Sequence, residues 1–336
     1  MKRYRKLIAA LLALAMLFSL CACTGSKPAE PTESTAPTTK PAEPTAEPTI
    51  PYPVTYEYEK TDQRVIYEHV IIVGVDGAGS FFSQAECPNL NSIFSDGAIT
   101  HTAITATPSS SAPCWGTMML GVAPEIHGLT NNSGLPRGGE DFPSIFMAVG
   151  RAFPDAPMAS YVHWPNVNTA IVEQRDDLNI KKVSGLPDKY IASKGAQYIL
   201  ENKPVLMYLH LDEPDAAGHS DGYGSEYHLE ALTEADRHIG QIYQAIIDAG
   251  IADSTLFIVV SDHGGTPEGE HGGSTDAEMQ ILFAVNGPNI LANSELSLNI
   301  QDTPAIVSYA LGIAQLDTWE CVIPDNLFAD IPDGEE

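Results

Sequence analysis

The 336-residue sequence is short of positive charge: 17 Lys and Arg stand against 44 Asp and Glu, a formal net charge of -27. So few cations leave no footprint for displacing the counterions of a nucleic acid backbone, which argues against nucleic acid as a partner. The same deficit disfavours broad attraction to an anionic membrane surface. An anionic substrate would need positive charge from another source, and bound metal ions can supply it. Cysteine is scarce too. Cys21, Cys23, Cys87, Cys114 and Cys321 are too few and too scattered for a disulfide framework or a paired-cysteine zinc site. The N-terminal apolar run from Leu7 to Leu20 falls short of the ~20 residues that a membrane-spanning helix needs.

Lys2, Arg3, Arg5 and Lys6 precede that run, which is the anatomy of a secretory signal. It ends in Leu20-Cys21-Ala22-Cys23, a stretch that resembles a bacterial lipobox. The resemblance implies a signal peptide over 1–22, cleavage before Cys23 and a lipid on its sulfur. The chain is then exported and anchored at the extracytoplasmic face of the cell membrane, with membrane contact through that lipid only. Pro, Thr, Glu and Ala dominate 24–53, with almost no large apolar residue. Such a composition cannot bury a core, so 23–53 reads as the lipidated Cys followed by an extended linker. The folded domain is expected over 54–336.

Within it, His69 to Val75 (HVIIVGV) is a continuous run of mostly β-branched residues and predicts a buried strand. Met158 to Val162, Val205 to Leu211, Leu256 to Val260 and Ile281 to Val285 read the same way. Helical spacing covers Ser225 to Ala249, where Leu229, Leu232, Ile239, Ile242 and Ile246 recur before Gly250. Asp188 to Asn202 and Thr303 to Leu311 are further helices. Strands alternating with helices imply an α/β layered fold around a mainly parallel sheet.

The chemistry lies in where Asp and His fall. Asp76 follows the first strand; Asp212, Asp215 and His219 follow the Val205 to Leu211 strand; Asp262 and His263 follow the Leu256 to Val260 strand, with His271 close behind. Ligands of open parallel sheets bind beyond the carboxyl ends of the strands, so these groups converge on one edge. Any one of them alone reads as a helix cap or a turn residue. Together they form an Asp and His set suited to two zinc-like ions; manganese would tolerate the same donors.

Val75-Asp76-Gly77, Pro214-Asp215-Ala216-Ala217-Gly218-His219, Ser261-Asp262-His263-Gly264 and His271-Gly272 resemble the metal-binding motifs of the alkaline phosphatase superfamily. Within it the sequence is most similar to the nucleotide pyrophosphatase/phosphodiesterase family, from about His69 to Leu311. The resemblance implies a three-layer α/β sandwich and two zinc ions. It puts Asp215, His219 and His271 on one ion and Asp76, Asp262 and His263 on the other, and gives Asp212 no ligand role. The family's hydroxyl nucleophile, which also binds the second ion, corresponds to Ser111. That residue begins Ser111-Ala112-Pro113-Cys114-Trp115 and leads to Pro124-Glu125-Ile126-His127-Gly128. Metal coordination and the positive end of a helix would both favour its anion. Thr107, Ser109 and Ser110 are competing hydroxyls, with Ser110 better suited to capping. In Asn131-Asn132-Ser133 the resemblance favours Asn132 as a donor to a phosphoryl oxygen. Cys114 and Trp115 are assigned no chemical role.

Trp115 stands where a sulfatase motif requires Arg, which counts against sulfate esters. Little sequence separates Ala216 from Ser261, so a large cap there is not expected. Substrate contacts are sought in 134–187, with Arg137, Tyr161, His163, Trp164 and Arg175 as candidates. The expected activity is hydrolysis of a small phosphate ester by a phosphodiesterase or nucleotide pyrophosphatase. A phosphomonoesterase or a phospho-headgroup transferase would use the same core. A non-catalytic surface lipoprotein would leave the ligand set without a purpose.

Overall fold

The computed structural model describes residues 58, 60–61, 66–133, 142–292 and 296–330. The stretches expected to be a signal peptide, a lipidated Cys23 and a linker, together with Arg137, lie outside the described residues.

The chain runs β1 (His69–Val75), α1 (Pro88–Ile93), β2 (Ala98–Ile104), α2 (Ser111–Leu120), α3 (Pro124–His127), α4 (Ile145–Ala152) and β3 (Met158–Val162). It continues β4 (Ile180–Ser184), α5 (Asp188–Asn202), β5 (Leu206–Leu211), α6 (Glu213–Asp221), α7 (Glu226–Asp248), β6 (Thr255–Ser261), α8 (Asp276–Met279), β7 (Gln280–Asn286) and α9 (Thr303–Leu311). The seven strands form one sheet in the order β2-β7-β6-β1-β5-β3-β4. Strands β6, β1, β5, β3 and β4 pair in parallel, and β7 and β2 run antiparallel at one side. This is the expected α/β sandwich with a mostly parallel sheet.

Every residue of β1, β5 and β6 is buried. Helices cover both faces, so these strands have no polar side and their residues form near-continuous apolar runs. One core face holds Ile72, Tyr208 and Val260 against α2, α4 and α9. The other holds Ile71, Val73 and Leu209 against α5 and α7. All ten residues of α2 are buried, because this helix sits inside one core layer and presents only its N-terminus to the sheet edge. Helices α6 and α7 fill most of the stretch between β5 and β6, so no large cap is inserted there. Cys87, Cys114 and Cys321 are separate, buried thiols.

Two strands were not anticipated from the sequence, β2 and β4. Both lie at the sheet's edges. Their burial alternates or is only partial, so neither carries the long apolar run that marks the central strands.

Candidate metal centre

The sheet order makes β6, β1 and β5 immediate neighbours. Their carboxyl ends therefore place Ser261-Asp262-His263, Asp76 and the start of α6 side by side, one strand spacing of ~4.8 Å apart. Asp215 and His219 stand one turn apart on α6, and His271 arrives on the loop after β6.

Two groups form. In the first, Asp215 Oδ2 lies 3.4 Å from His219 Nε2, which lies 3.2 Å from His271 Nε2. In the second, His263 Nε2 lies 3.4 Å from both Asp76 Oδ1 and Asp262 Oδ2. Ser111 Oγ joins the second group at 3.4 Å from Asp76 Oδ1 and 3.4 Å from His263 Nε2. Donors held 2.0–2.1 Å from a tetrahedral ion stand about 3.3–3.4 Å from one another. The observed separations are of that size, and the ligand atoms of Asp215, His263 and His271 also lie within 4.8 Å of one another, so the two groups adjoin at His263.

Each side chain offers one free donor atom. His219 Nδ1 meets Gly269 O at 2.7 Å, His263 Nδ1 meets Gly264 O at 2.9 Å, and His271 Nδ1 meets Ser109 O at 3.0 Å. A ring nitrogen facing a carbonyl must carry the proton, so Nε2 is left as a lone-pair donor. Asp215 Oδ1 accepts from Tyr223 OH at 2.5 Å, leaving Oδ2. Asp262 Oδ1 accepts from Gly77 N at 3.0 Å and His263 N at 2.9 Å. Its Oδ2 is buried without a hydrogen-bond partner. Asp76 Oδ2 accepts from Trp115 Nε1 at 3.0 Å and His210 Nε2 at 2.9 Å, leaving Oδ1.

The electrostatics call for cations. Burial, then the charges of Asp76 and Asp215, push the Asp262 carboxyl well above its ordinary range. Burial would raise Asp76 as well, but the His210 hydrogen bond, with the charges of His210 and His263, holds it well below that range. Burial, then the charge of His263, lowers His271 and favours its neutral, ligating form. An orphaned buried carboxylate oxygen beside a second buried carboxylate is what a divalent ion would satisfy.

Gly77 is fitted to this crowding. Its φ is +65°, and a Cβ would come within 2.6 Å of Asp215 Oδ1 and 2.8 Å of the Asp215 Cα. A side chain there would part β1 from α6.

Ser111 is the first residue of α2 and is nearly buried. Ser110 holds the N-cap position but makes no side-chain cap; its Oγ lies 3.4 Å from His271 Nδ1. Ser109 Oγ bonds Gly273 O and Gly272 N, tying the loop before Ser111 to the His271 loop. Asn132 Oδ1 accepts from Ala112 N at 2.9 Å, which turns its amide NH2 away from the helix end. Asp212 begins α6 and approaches Asp76 and His210, outside both groups. Burial and then the charge of Asp76 raise its carboxyl to about 7.

The residues named as candidates for substrate contact, Arg137 excepted, are placed as follows. Tyr161 is a core residue beside Tyr198. His163 Nδ1 bonds Asp188 Oδ1 at 2.7 Å, and Asp188 in turn receives the backbone N–H groups of Asp212 and Glu213. His163 thus buttresses the start of α6. Arg175 pairs with Asp177, and Trp164 packs partly buried against the core. Asn166, not foreseen, ties the loop after β3 to Asn132 O at 3.2 Å. Trp115, given no chemical role from sequence, is a direct donor to Asp76. His210 and Tyr223 were also missed, and only the Asp-centred geometry reveals them.

Among known proteins, rat ectonucleotide pyrophosphatase/phosphodiesterase family member 7 is 24% identical over 228 residues, 61% of this chain and 51% of the rat protein. GPI ethanolamine phosphate transferase 2 of Saccharomyces cerevisiae is 36% identical over 81 residues, 24% of this chain and 9% of the yeast protein. The chain thus spans about half or less of the length of these curated relatives. Murine ectonucleotide pyrophosphatase/phosphodiesterase 5 superposes with a TM-score of 0.63 at 14% identity, over 73% of this chain and 95% of the murine one. A 2-O GAG sulfatase reaches 0.63 at 12% identity, over 76% of this chain and 73% of its own, which shows a shared fold. The model of the type I phosphodiesterase/nucleotide pyrophosphatase family matches 70–146 and 146–277, the stretch that holds both groups of donors and Ser111. By that match over more than half its length, the chain belongs to the type I phosphodiesterase/nucleotide pyrophosphatase family.

Proposed function

We propose that this chain is an exported, metal-dependent hydrolase of phosphoric esters, a phosphodiesterase or pyrophosphatase that works through Ser111. The observation that carries the reading is the set of six side chains with one free donor atom each, spaced for two ions, with a serine hydroxyl in the same shell. The Asp and His donors and their tetrahedral spacing favour zinc. When bound, the two ions supply positive charge for the phosphoryl oxygens and lower the pKa of the hydroxyl.

The chain's own groups do the rest. Ser111 Oγ gives up its proton and attacks phosphorus at the positive end of α2. The P–O bond to the leaving alcohol or phosphate breaks and that group departs protonated, and water then cleaves the Ser111 phosphoester to restore the hydroxyl. Asn132 directs its NH2 at a non-bridging oxygen, since its carbonyl is held by Ala112 N. Trp115, in the place of a sulfatase's Arg, argues against sulfate esters. An inactive variant of the murine relative, with one Thr replaced by Ala, has been seen in complex with AMP. A nucleotide or similar small phosphate ester is the corresponding substrate class here. The lipobox-like Leu20 to Cys23 supports a lipid anchor on Cys23.

Hydrolysis of bis-p-nitrophenyl phosphate, with chelator and zinc add-back, tests the reading. A zinc-loaded preparation inactive on every diester tried would sink it. The yeast transferase match favours a second reading, transfer of a phospho-headgroup to an alcohol. Product analysis with an added alcohol acceptor separates transfer from hydrolysis.

A further inference from the structure

Asp76 is held from two sides. Trp115 lies four residues after Ser111, so both stand on one side of α2, one turn apart. The helix that brings Ser111 Oγ to Asp76 Oδ1 therefore also brings Trp115 Nε1 to Asp76 Oδ2, at 3.4 Å and 3.0 Å. The second grip comes from β5. His210 is paired in register with Gly74, two residues before Asp76 on the same face of β1, and its Nε2 reaches Oδ2 at 2.9 Å. Side-chain exposure is 0% for His210 and 1% for Asp76, so no solvent competes for this oxygen.

The surroundings are shaped for this grip. A Cβ on Gly74 would lie 2.4 Å from Tyr208 OH and 2.6 Å from Trp115 Cη2. Only glycine lets the indole lie against β1 at the depth where its N–H meets Asp76. The rings of Trp115 and His210 meet edge to face, with centroids 5.4 Å apart, so each limits the other's rotation. A carboxylate only accepts, so the proton on His210 facing Asp76 is fixed at Nε2.

We propose that Trp115 and His210 are positioning residues that hold Asp76 to a single donor atom. With Oδ2 occupied twice, the carboxylate cannot turn to offer both oxygens to one ion, and Oδ1 stays registered against Ser111 Oγ. This rests on the two-ion reading above. It assigns the two residues control over one ion's affinity and over turnover, but not over substrate capture.

The test compares Trp115→Phe, His210→Phe and His210→Gln with wild type, by zinc titration of the metal-stripped full chain against a chromophoric chelator. Trp115→Phe keeps an aromatic ring but removes the N–H; His210→Gln keeps a side-chain N–H donor. The expected result is a loss of roughly 10–100-fold in affinity for one of two ions in both Phe variants, with the other ion unaffected. His210→Gln recovers most of it. On bis-p-nitrophenyl phosphate, kcat falls in the Phe variants while KM stays within about twofold. If Trp115→Phe does not fold, the His210 pair decides alone, since loss in His210→Phe and recovery in His210→Gln is a pattern that general destabilisation does not produce. Wild-type affinity for both ions in the folded Phe variants would overturn the inference. A wild-type chain that binds fewer than two zinc ions would instead remove the reading beneath it, and the inference with it.

Discussion

The two donor groups differ in their exposure to water. Asp76, Asp262 and His263 are 1%, 0% and 0% exposed, whereas the side chains of Asp215 and His219 are 14% and 45% exposed. The inner group carries two carboxylates with no solvent to screen them, and Asp262 Oδ2 has no hydrogen-bond partner among the described residues. A cation bound there would compensate these charges, and its binding would then be coupled to folding. The outer group can exchange an ion for water at small cost. The difference teaches that a centre with matched donor sets need not have matched roles. The inner half is part of the core and holds Ser111; the outer half is an accessible rim.

The sharpest way to break this comparison is at Ser111. Ser111→Ala should lower diesterase turnover by about 10³-fold or more while both ions stay bound, read by steady-state kinetics beside metal analysis. Retained turnover would move the attack out of the inner half.

Next in size is metal removal. Graded chelation should strip the outer ion first with little change in melting temperature, and the inner ion second with most of the stability loss. That second step should amount to several kcal/mol at saturating zinc, on the order of 4 kcal/mol at 1,000-fold excess over Kd. A calorimetric melt at each stage would show it, and a single joint step would erase the distinction between the halves.

A third test reaches the floor beneath the inner half. His127 is fully buried, with Nε2 3.1 Å from Thr117 Oγ1 on α2 and Nδ1 accepting from Leu129 N at 3.1 Å. Burial lowers its pKa to about 4. The unfolded chain then binds a proton near pH 6.5 that the folded chain refuses until about pH 4. Its contribution is complete above pH ~6.5 and is lost as pH falls toward 4, up to roughly 3 kcal/mol. Denaturant melts of wild type and His127→Gln across pH 7 to 4 should differ in slope within that window, and parallel curves would contradict the assignment.

The smallest effect belongs to the rim. Tyr223→Phe frees Asp215 Oδ1 and should weaken one ion by about tenfold, without touching the inner ion or the fold. Zinc titration at both sites is the readout.

How much of this could be read from the sequence depended on the distance over which the information is stored. The central strands announce themselves because burial on both faces leaves β1, β5 and β6 almost without polar residues. The candidate ligands stand out in the sequence for the same reason: Asp76 and Asp262 each stand next to the end of such a run. Edge strands β2 and β4 pair on one side only and carry no such mark. Trp115, His210 and Tyr223 were invisible as functional residues because their partners are set by packing. His210 meets Asp76 across 134 positions of sequence and sits inside an apolar strand, where a histidine reads as part of the core. His163, a candidate for substrate contact from its place after β3, is tied through Nδ1 to Asp188, a partner the sequence did not suggest.

The three isolated cysteines have a chemical consequence of their own. Burial raises the thiols of Cys87 and Cys321 to about 12, and the Cys114 thiol higher still. At neutral pH almost none is present as thiolate, the form that oxidants and alkylating reagents attack. Cys114 sits three residues from Ser111 yet is fully buried, with Sγ facing the carbonyls of Ala106 and Pro108. Burial of this depth lets a cysteine stay a thiol with no disulfide partner.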